Sequence, residues 1–327
     1  MALTKLAELR ARRALSAAGL ATEPDVSLTR VESVTNEVWS HGDVLVRVSG
    51  AVGTRLRREA DLARHLPAAL RYPTILAVGE DGGVDWLVLE RAPGVPLVRC
   101  WPGMTERERR SAVEQLAVAV RALHETPAPP DLVEPVASPH ILRAGAHAVA
   151  PLLAALDRAA GLAHVDPGVI AQAVGFVRAL APALDPFTST TLIHGDLHFQ
   201  NVLWDGSELT AVLDLEFARA APPDLDLDVF LRFCSLPFLF VPEGREAEAR
   251  AELYASVPFW FRDAYPAVFE HPRLLDRLRV YAVAFDVWSL LAGPPQQSIR
   301  GLTQYHPYRR LVATLRGQSH LDLLNRD

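Results

Sequence analysis

A chain of 327 residues with 50% hydrophobic content can build one large domain or two lobes around a substantial core. Its formal charge of −6 gives no electrostatic reason to expect nucleic-acid binding, so no nucleic-acid partner is expected. Two cysteines, Cys100 and Cys234, exclude a disulfide framework and point to a reducing cytoplasm.

The first twenty residues, MALTKLAELRARRALSAAGL, carry a helical period, with a turn expected at TEPD (22–25). Glu8 and the interrupted apolar pattern argue against a secretory signal. Residues 26–50 read as three short strands, with turns at SVTN (33–36) and HGD (41–43). TRLRREADLARHL (54–66) returns to helical period, its Leu56, Ala60, Ala63 and Leu66 spaced to share one face. YPTILAVGEDGGVDWLVLERAPG (72–94) is a hairpin folded at EDGG. A mostly antiparallel sheet with one inserted helix is therefore expected over residues 1–91, and a helical lobe over 92–327.

In that second region, MTERERRSAVEQLAVAVRALHE (104–125) reads as a helix opened by a capping box, Thr105 with Glu108. TPAPPDLVEP (126–135) is a Pro-rich connection, and helices run on to about Leu180. Strand period returns at TLIHGDLHFQNVLWDGSELTAVLDLEFA (191–218), with a hairpin turn at Asp205-Gly206. From 225 the pattern is helical and rich in aromatics. No run is long enough to cross a membrane, since LPFLFVP (236–242) is short and broken by prolines. Residues 1–91 hold 12 basic and 12 acidic side chains, so the whole acidic excess lies in 92–327. That excess fits a cationic substrate and an ordinary solvated surface equally well.

The segment HGDLHFQN (194–201) lies between two apolar runs and concentrates reactive side chains. His194, Asp196 and His198 alternate as metal ligands can, which is the pattern of a metallohydrolase. Asp196 and Asn201 also have the Asp-x-x-x-x-Asn spacing of a phosphoryl-transfer loop. The hairpin that follows returns Asp214, at the end of a strand over 209–213, to the neighbourhood of this loop. Asp196, Asn201 and Asp214 then offer a proton acceptor and two oxygen ligands suited to Mg2+. The hydrolase reading has no use for Asn201 or Asp214.

HGDLHFQN, followed by VLDLE (212–216) and PPDLDLDVF (222–230), resembles the aminoglycoside phosphotransferase family of small-molecule kinases. The resemblance covers most of the chain and implies an α+β, protein-kinase-like two-lobe fold. It implies that Asp196 is the catalytic acid-base residue and that Asn201 and Asp214 hold Mg2+. His194 would shape the loop from behind, Asp226 would brace its backbone, and Glu216 would either meet the metal through water or cap the strand. Asp224 and Asp228 are expected at the surface or at a helix start.

In the first lobe, DVLVRV resembles the strand that carries the family's phosphate-binding lysine, and Arg47 stands in that place. With one lysine, Lys5, and 32 arginines in the chain, an arginine there is in keeping with the composition. Glu59 is the expected partner of Arg47. SVTN occupies the place of a phosphate loop but contains no glycine. LERAPG resembles the hinge, with the Glu90 carbonyl and Ala92 amide placed for a purine edge, so the donor is ATP or GTP. Aromatics such as Phe238, Phe259, Trp260, Phe285, Trp288 and Tyr305 are expected mainly in the core, with some at the acceptor. The acceptor implied is a hydroxyl of an antibiotic or related natural product: a nucleoside, a macrolide or an aminoglycoside. A metabolite kinase acting on a sugar, amino alcohol or glycated amine is the alternative, and a nucleotide-binding pseudokinase is a third reading.

Overall fold

A computed structural model describes residues 2–20, 27–31, 33, 36–50, 52–132, 139–187, 190–294 and 296–325. The turn expected at TEPD and the centre of SVTN lie outside these residues. Helix α1 (Ala2–Ala17) precedes strands β1 (Thr29–Val31), β2 (Glu37–His41) and β3 (Val44–Val48). Helix α2 (Arg55–Ala63) follows, and then the hairpin of β4 (Ile75–Asp81) and β5 (Val84–Glu90). Gly82 and Gly83, with φ of 63° and 77°, form its two-residue turn, which needs positive φ at both positions.

The five strands pair antiparallel in the order β1-β2-β3-β5-β4. β5 has a neighbour on each edge and a helix on each face, which explains its unbroken buried run Val84–Leu89. Val46, Val48, Trp86 and Val88 pack with Ala11, Ala14 and Leu15 of α1. Leu87 and Leu89 pack with Leu56 and Ala60 of α2 on the other face. Each of the valine and leucine side chains contributes about 1.5–3 kcal/mol by leaving water. Strand period two then fixes Arg47: between Val46 and Val48, and opposite Leu87, it must face α2.

β6 (Val95–Pro96) leads into α3 (Leu97–Cys100) and α4 (Glu106–His124). The capping box forms as expected, with the Thr105 side chain accepting from Glu108 N and the Glu108 carboxylate accepting from Thr105 N. Helices α5 (Ala150–Ala159) and α6 (Pro167–Leu180) precede β7 (Leu192–Ile193). Strands β8 (Val202–Trp204) and β9 (Leu209–Val212) form a hairpin, and β10 (Arg219–Ala220) pairs back on β7. The loop of that hairpin has four residues rather than the expected Asp-Gly pair. The Asp205 carboxylate accepts from Ser207 N and Glu208 N, both at 2.9 Å, and closes it.

Helices α7 (Asp224–Ser235), α8 (Val257–Ala264), α9 (Leu274–Ala292) and α10 (Pro307–Leu315) complete the chain, with a closing 3-10 turn at His320–Asn325. α9 packs against α5, α6, α7 and α10 and is buried around most of its circumference. The window Pro167–Leu184 is, by length and composition, apolar enough to cross a membrane, contrary to the sequence reading. Its helix α6 packs against α5 and α9, burying Ile170, Ala173 and Val177.

Candidate active site

The segment 194–201 connects β7 to β8 and is gripped from below by α7. The two oxygens of Asp226 accept the backbone N–H groups of His194 and Gly195, each at 2.7 Å. His124 of α4 donates to the same carboxylate at 2.9 Å. Asp226 is fully buried. Burial would raise its carboxyl, but hydrogen bonding and charge from His124, with help from His194, hold it below the ordinary value. Gly195 has φ of 81°, and a Cβ there would collide with the carbonyl of Phe217, so only glycine fits.

Both ring nitrogens of His194 are committed. Nε2 donates to Leu213 O at 2.9 Å, and Nδ1 accepts from Asp196 N at 3.2 Å. His194 therefore shapes the loop and has no lone pair for a metal, which removes the alternating His-Asp-His cluster as a ligand set. Among the described residues no group of three or more His, Cys, Asp or Glu side chains is placed to hold a metal ion.

Asp196 keeps a quarter of its side chain exposed, and its Oδ2 accepts from His198 Nε2 at 3.2 Å. Burial pushes its carboxyl up, while charge and hydrogen bonding from His198, then His194 and Asn201, bring it below the usual carboxylate range. It is ionised at neutral pH and able to accept a proton. Asn201 donates Nδ2 to Asp196 O at 3.0 Å, which leaves its amide oxygen for a cation.

Asp214 lies beyond the hairpin strand, which ends at Val212 rather than at 213. Its φ of 63° is a left-handed conformation that aspartate tolerates better than most residues. Leu213, just before it, is tied to the loop through Leu213 N to Asn201 O at 2.7 Å. Arg47 reaches across: Nη2 donates to Asp214 Oδ1 at 2.8 Å, and Nη1 meets both oxygens of Glu59 at 2.8 and 2.9 Å. Glu59, fully buried, also accepts from Tyr72 OH at 2.8 Å and Leu215 N at 3.1 Å. The expected Arg47–Glu59 pair is present, and the link onward to Asp214 goes beyond the sequence reading.

Glu216 is buried with Arg55 at 3.9 Å, and its Oε2 has no hydrogen-bond partner. Burial, then the charge of Asp214, pushes its carboxyl up to about 7. Burial likewise raises Asp214, aided by Glu59 and Asp196 and opposed by Arg47. An orphaned buried carboxylate oxygen beside a second carboxylate and a free amide oxygen is a donor set that fits a hard divalent cation.

Glu90 ends β5 opposite Val44, and Ala92 lies two residues on, in the segment that joins the sheet to the helical region. Asp224 and Asp228 are buried rather than at the surface, although Asp224 does open α7. Asp224 pairs with Arg277 and accepts from Tyr281 OH, while Asp228 accepts from His140 and His320. Sequence reading missed Tyr72 and His124, because each acts through a partner more than a hundred residues away or on another element. Of the aromatics named from sequence, Phe238, Phe259, Trp260, Phe285 and Trp288 are half-buried and Tyr305 is exposed, contrary to the expected core placement, whereas Phe230, Phe233, Phe261 and Tyr281 are core. Phe240 packs on His198 and Trp288 on Phe217, so a few do border the 194–201 loop.

Comparison with known proteins gives this geometry a family. An aminoglycoside 3'-phosphotransferase of Streptomyces fradiae is 34% identical over 186 residues, 54% of this chain. The match spans 63% of that relative's length. A thermostable mutant of aminoglycoside phosphotransferase APH(4)-Ia, solved with ADP and hygromycin B, superposes with a TM-score of 0.59 at 17% identity, covering 94% of this chain and 97% of that one. Aminoglycoside 2'-phosphotransferase-IIIa with GDP gives 0.60 at 15%, covering 97% and 98%. A choline/ethanolamine kinase family protein from Mesorhizobium loti gives 0.59 at 20%, covering 98% and 95%. These likenesses confirm the α+β, two-lobed kinase fold expected from sequence. The profile of the phosphotransferase enzyme family (APH) matches residues 27–263, and the chain belongs to that family of phosphotransferases.

Proposed function

We propose that the protein is a Mg2+-dependent O-phosphotransferase that moves the γ-phosphoryl group of ATP or GTP to a hydroxyl of a small-molecule antibiotic or related natural product. The observation that carries this reading is the convergence of Asp196, Asn201 and Asp214 around a loop whose backbone Asp226 clamps. Asp196 accepts the proton of the attacking hydroxyl and orients it; such a base contributes about 10²–10⁴-fold. Asn201 and Asp214 would hold Mg2+, with the orphaned Glu216 oxygen close by, and the ion when bound neutralises phosphate charge. Arg47 supplies positive charge to the α- and β-phosphates, positioned by Glu59. The Glu90 carbonyl and Ala92 amide meet the purine edge. Backbone contacts of that kind accept either base, in keeping with fold relatives solved with ADP and with GDP. Free thiols at Cys100 and Cys234 suit a reducing cytoplasm.

The test is transfer of labelled phosphate from γ-labelled ATP and GTP to a panel of aminoglycosides, macrolides, nucleosides, sugars and amino alcohols. Mg2+-dependent labelling of an antibiotic supports the reading. Labelling confined to sugars or amino alcohols makes it a metabolite kinase. Nucleotide binding with no transfer and no hydrolysis makes it a pseudokinase.

A further inference from the structure

Helix α7 has two working faces. Asp226, Phe230 and Phe233 recur on the face that holds the catalytic loop, where both rings pack on Phe199. Asp228, Arg232 and Ser235 recur on the opposite face. There the helix walls a cavity of about 660 Å³ that α10 and the segment up to His320 close from the other side. That volume suits a small organic ligand. No residue of the catalytic loop lines it.

Its charge is one-sided. Arg232, Arg309, Arg310 and Arg316 line the cavity against a single carboxylate, Asp286. Asp286 is 1% exposed and already bonded to two of them, Arg232 Nη1 at 3.0 Å and Arg310 Nε at 2.8 Å. The next carboxylate, Asp228, is fully buried, accepts from His140 and His320, and pairs with Arg232 Nη2 at 3.8 Å, so the uncompensated charge is that of Arg309 and Arg316. Arg309 and Arg316 form no ion pair among the described residues, and both are exposed. Arg232, 1% exposed, keeps a buried Nε with no acceptor. This surplus of arginine sits in a region, 92–327, that carries the whole acidic excess of the chain, so it is local. Tyr305 adds a planar wall, its ring set edge-on to Phe238 at 4.6 Å.

We propose that this cavity is a binding site for a small anion with a planar apolar part and a phosphate, sulfonate or carboxylate group. The guanidinium forks of Arg309, Arg310 and Arg316 receive the anionic oxygens, and Tyr305 receives the flat face. A polycationic aminoglycoside has the wrong sign for it.

The probe is 8-anilinonaphthalene-1-sulfonate, titrated by fluorescence into the full chain with and without saturating ADP and Mg2+. Saturable one-to-one binding is expected to persist with nucleotide present. It should weaken about tenfold or more in the Arg309→Glu/Arg316→Glu variant, and less in the Arg309→Lys/Arg316→Lys variant. Both positions are exposed on or beside α10, and an unchanged thermal midpoint checks that the fold is kept. Kanamycin is expected not to displace the dye. Absence of binding, displacement by ADP or by kanamycin, or equal affinity in the charge-reversed variant would overturn the proposal. Because the readout is binding, it stands or falls independently of any phosphotransfer.

Discussion

Arg47 Nη2 stands 2.8 Å from Asp214 Oδ1 while Nη1 of the same guanidinium grips both oxygens of Glu59. One side chain thus spans α2 and the segment after β9, using its fork in two directions. Burial opposes its charge, but Glu59 and Asp214 outweigh that and hold its pKa well above the ordinary arginine value. A lysine ammonium, a single point charge, cannot make both contacts with equal reach.

Arg47→Lys is therefore expected to raise the KM for nucleotide by about tenfold while keeping measurable turnover. Arg47→Ala should raise it further and destabilise the fold by roughly 3–5 kcal/mol, because Glu59 is left as a buried carboxylate without its cation. Nucleotide titration with urea unfolding of the two variants checks both statements. Wild-type stability in Arg47→Ala would contradict the role of Arg47 as the cation that holds buried Glu59.

Asp226→Asn should loosen the catalytic loop. The amide loses charge-assisted bonds to His194 N and Gly195 N and turns an NH2 group toward donors. A loss of roughly 3 kcal/mol is expected, since hydrogen bonds to charged groups are worth about 1.5–3 kcal/mol each. Denaturant unfolding measures it, and amide exchange at 194–196 should rise. Unchanged exchange there would mean that α7 does not hold the loop.

Asp214→Ala should abolish metal-supported nucleotide binding, and Asn201→Ala should weaken it by a smaller factor, because a carboxylate holds a hard cation better than an amide. Calorimetric titration of Mg2+ with ADP into each variant gives the order. Two variants that match the wild type would place the metal elsewhere.

The stability contributed by His140 and His320 should fall as pH drops from 7 to 5, while Glu216, its carboxyl held at about 7 in the folded chain, takes up a proton there and contributes in the opposite direction. His140 and His320 are both buried, and burial, reinforced by Arg232, lowers their pKa below the ordinary value against the pull of Asp228. The unfolded chain then binds more protons than the folded one below about pH 6.5, so protons favour unfolding. The contribution is fully present above that pH and is lost as pH falls toward the folded-state values. Between pH 8 and 5 the thermal midpoint of the wild type should fall relative to that of His320→Asn, in which Glu216 is unchanged and only the buried imidazole is removed. A difference between the two midpoints that stays constant across this range contradicts the burial of the His320 ring in neutral form.

The local rules were legible in the sequence because they act over short spans. The capping box opened α4, and the spacing of Asp196 and Asn201 marked one loop, whereas Arg47 and its Glu59 partner were placed through family resemblance. Asp226 was recognisable as a brace only through family resemblance, since nothing in DLDLD distinguishes the three aspartates. Asp224 and Asp228 looked like solvated helix-start residues because their partners, Arg277 and His320, lie 53 and 92 residues away. Tyr72 was hidden for a similar reason: its bond to Glu59 depends on how the β4 approach packs against α2. Burial that depends on tertiary partners leaves no periodic signal in the chain itself.

The most direct measurement is single-turnover transfer of γ-labelled phosphate to a confirmed hydroxyl acceptor by the wild type and by Asp196→Asn. The asparagine keeps the side-chain shape but cannot accept the proton, so folding and nucleotide affinity should be preserved. The transfer rate should fall by about 10²–10⁴-fold. A variant that transfers phosphate at the wild-type rate, with nucleotide affinity intact, would contradict the assignment of Asp196 as the base and with it the proposed mechanism.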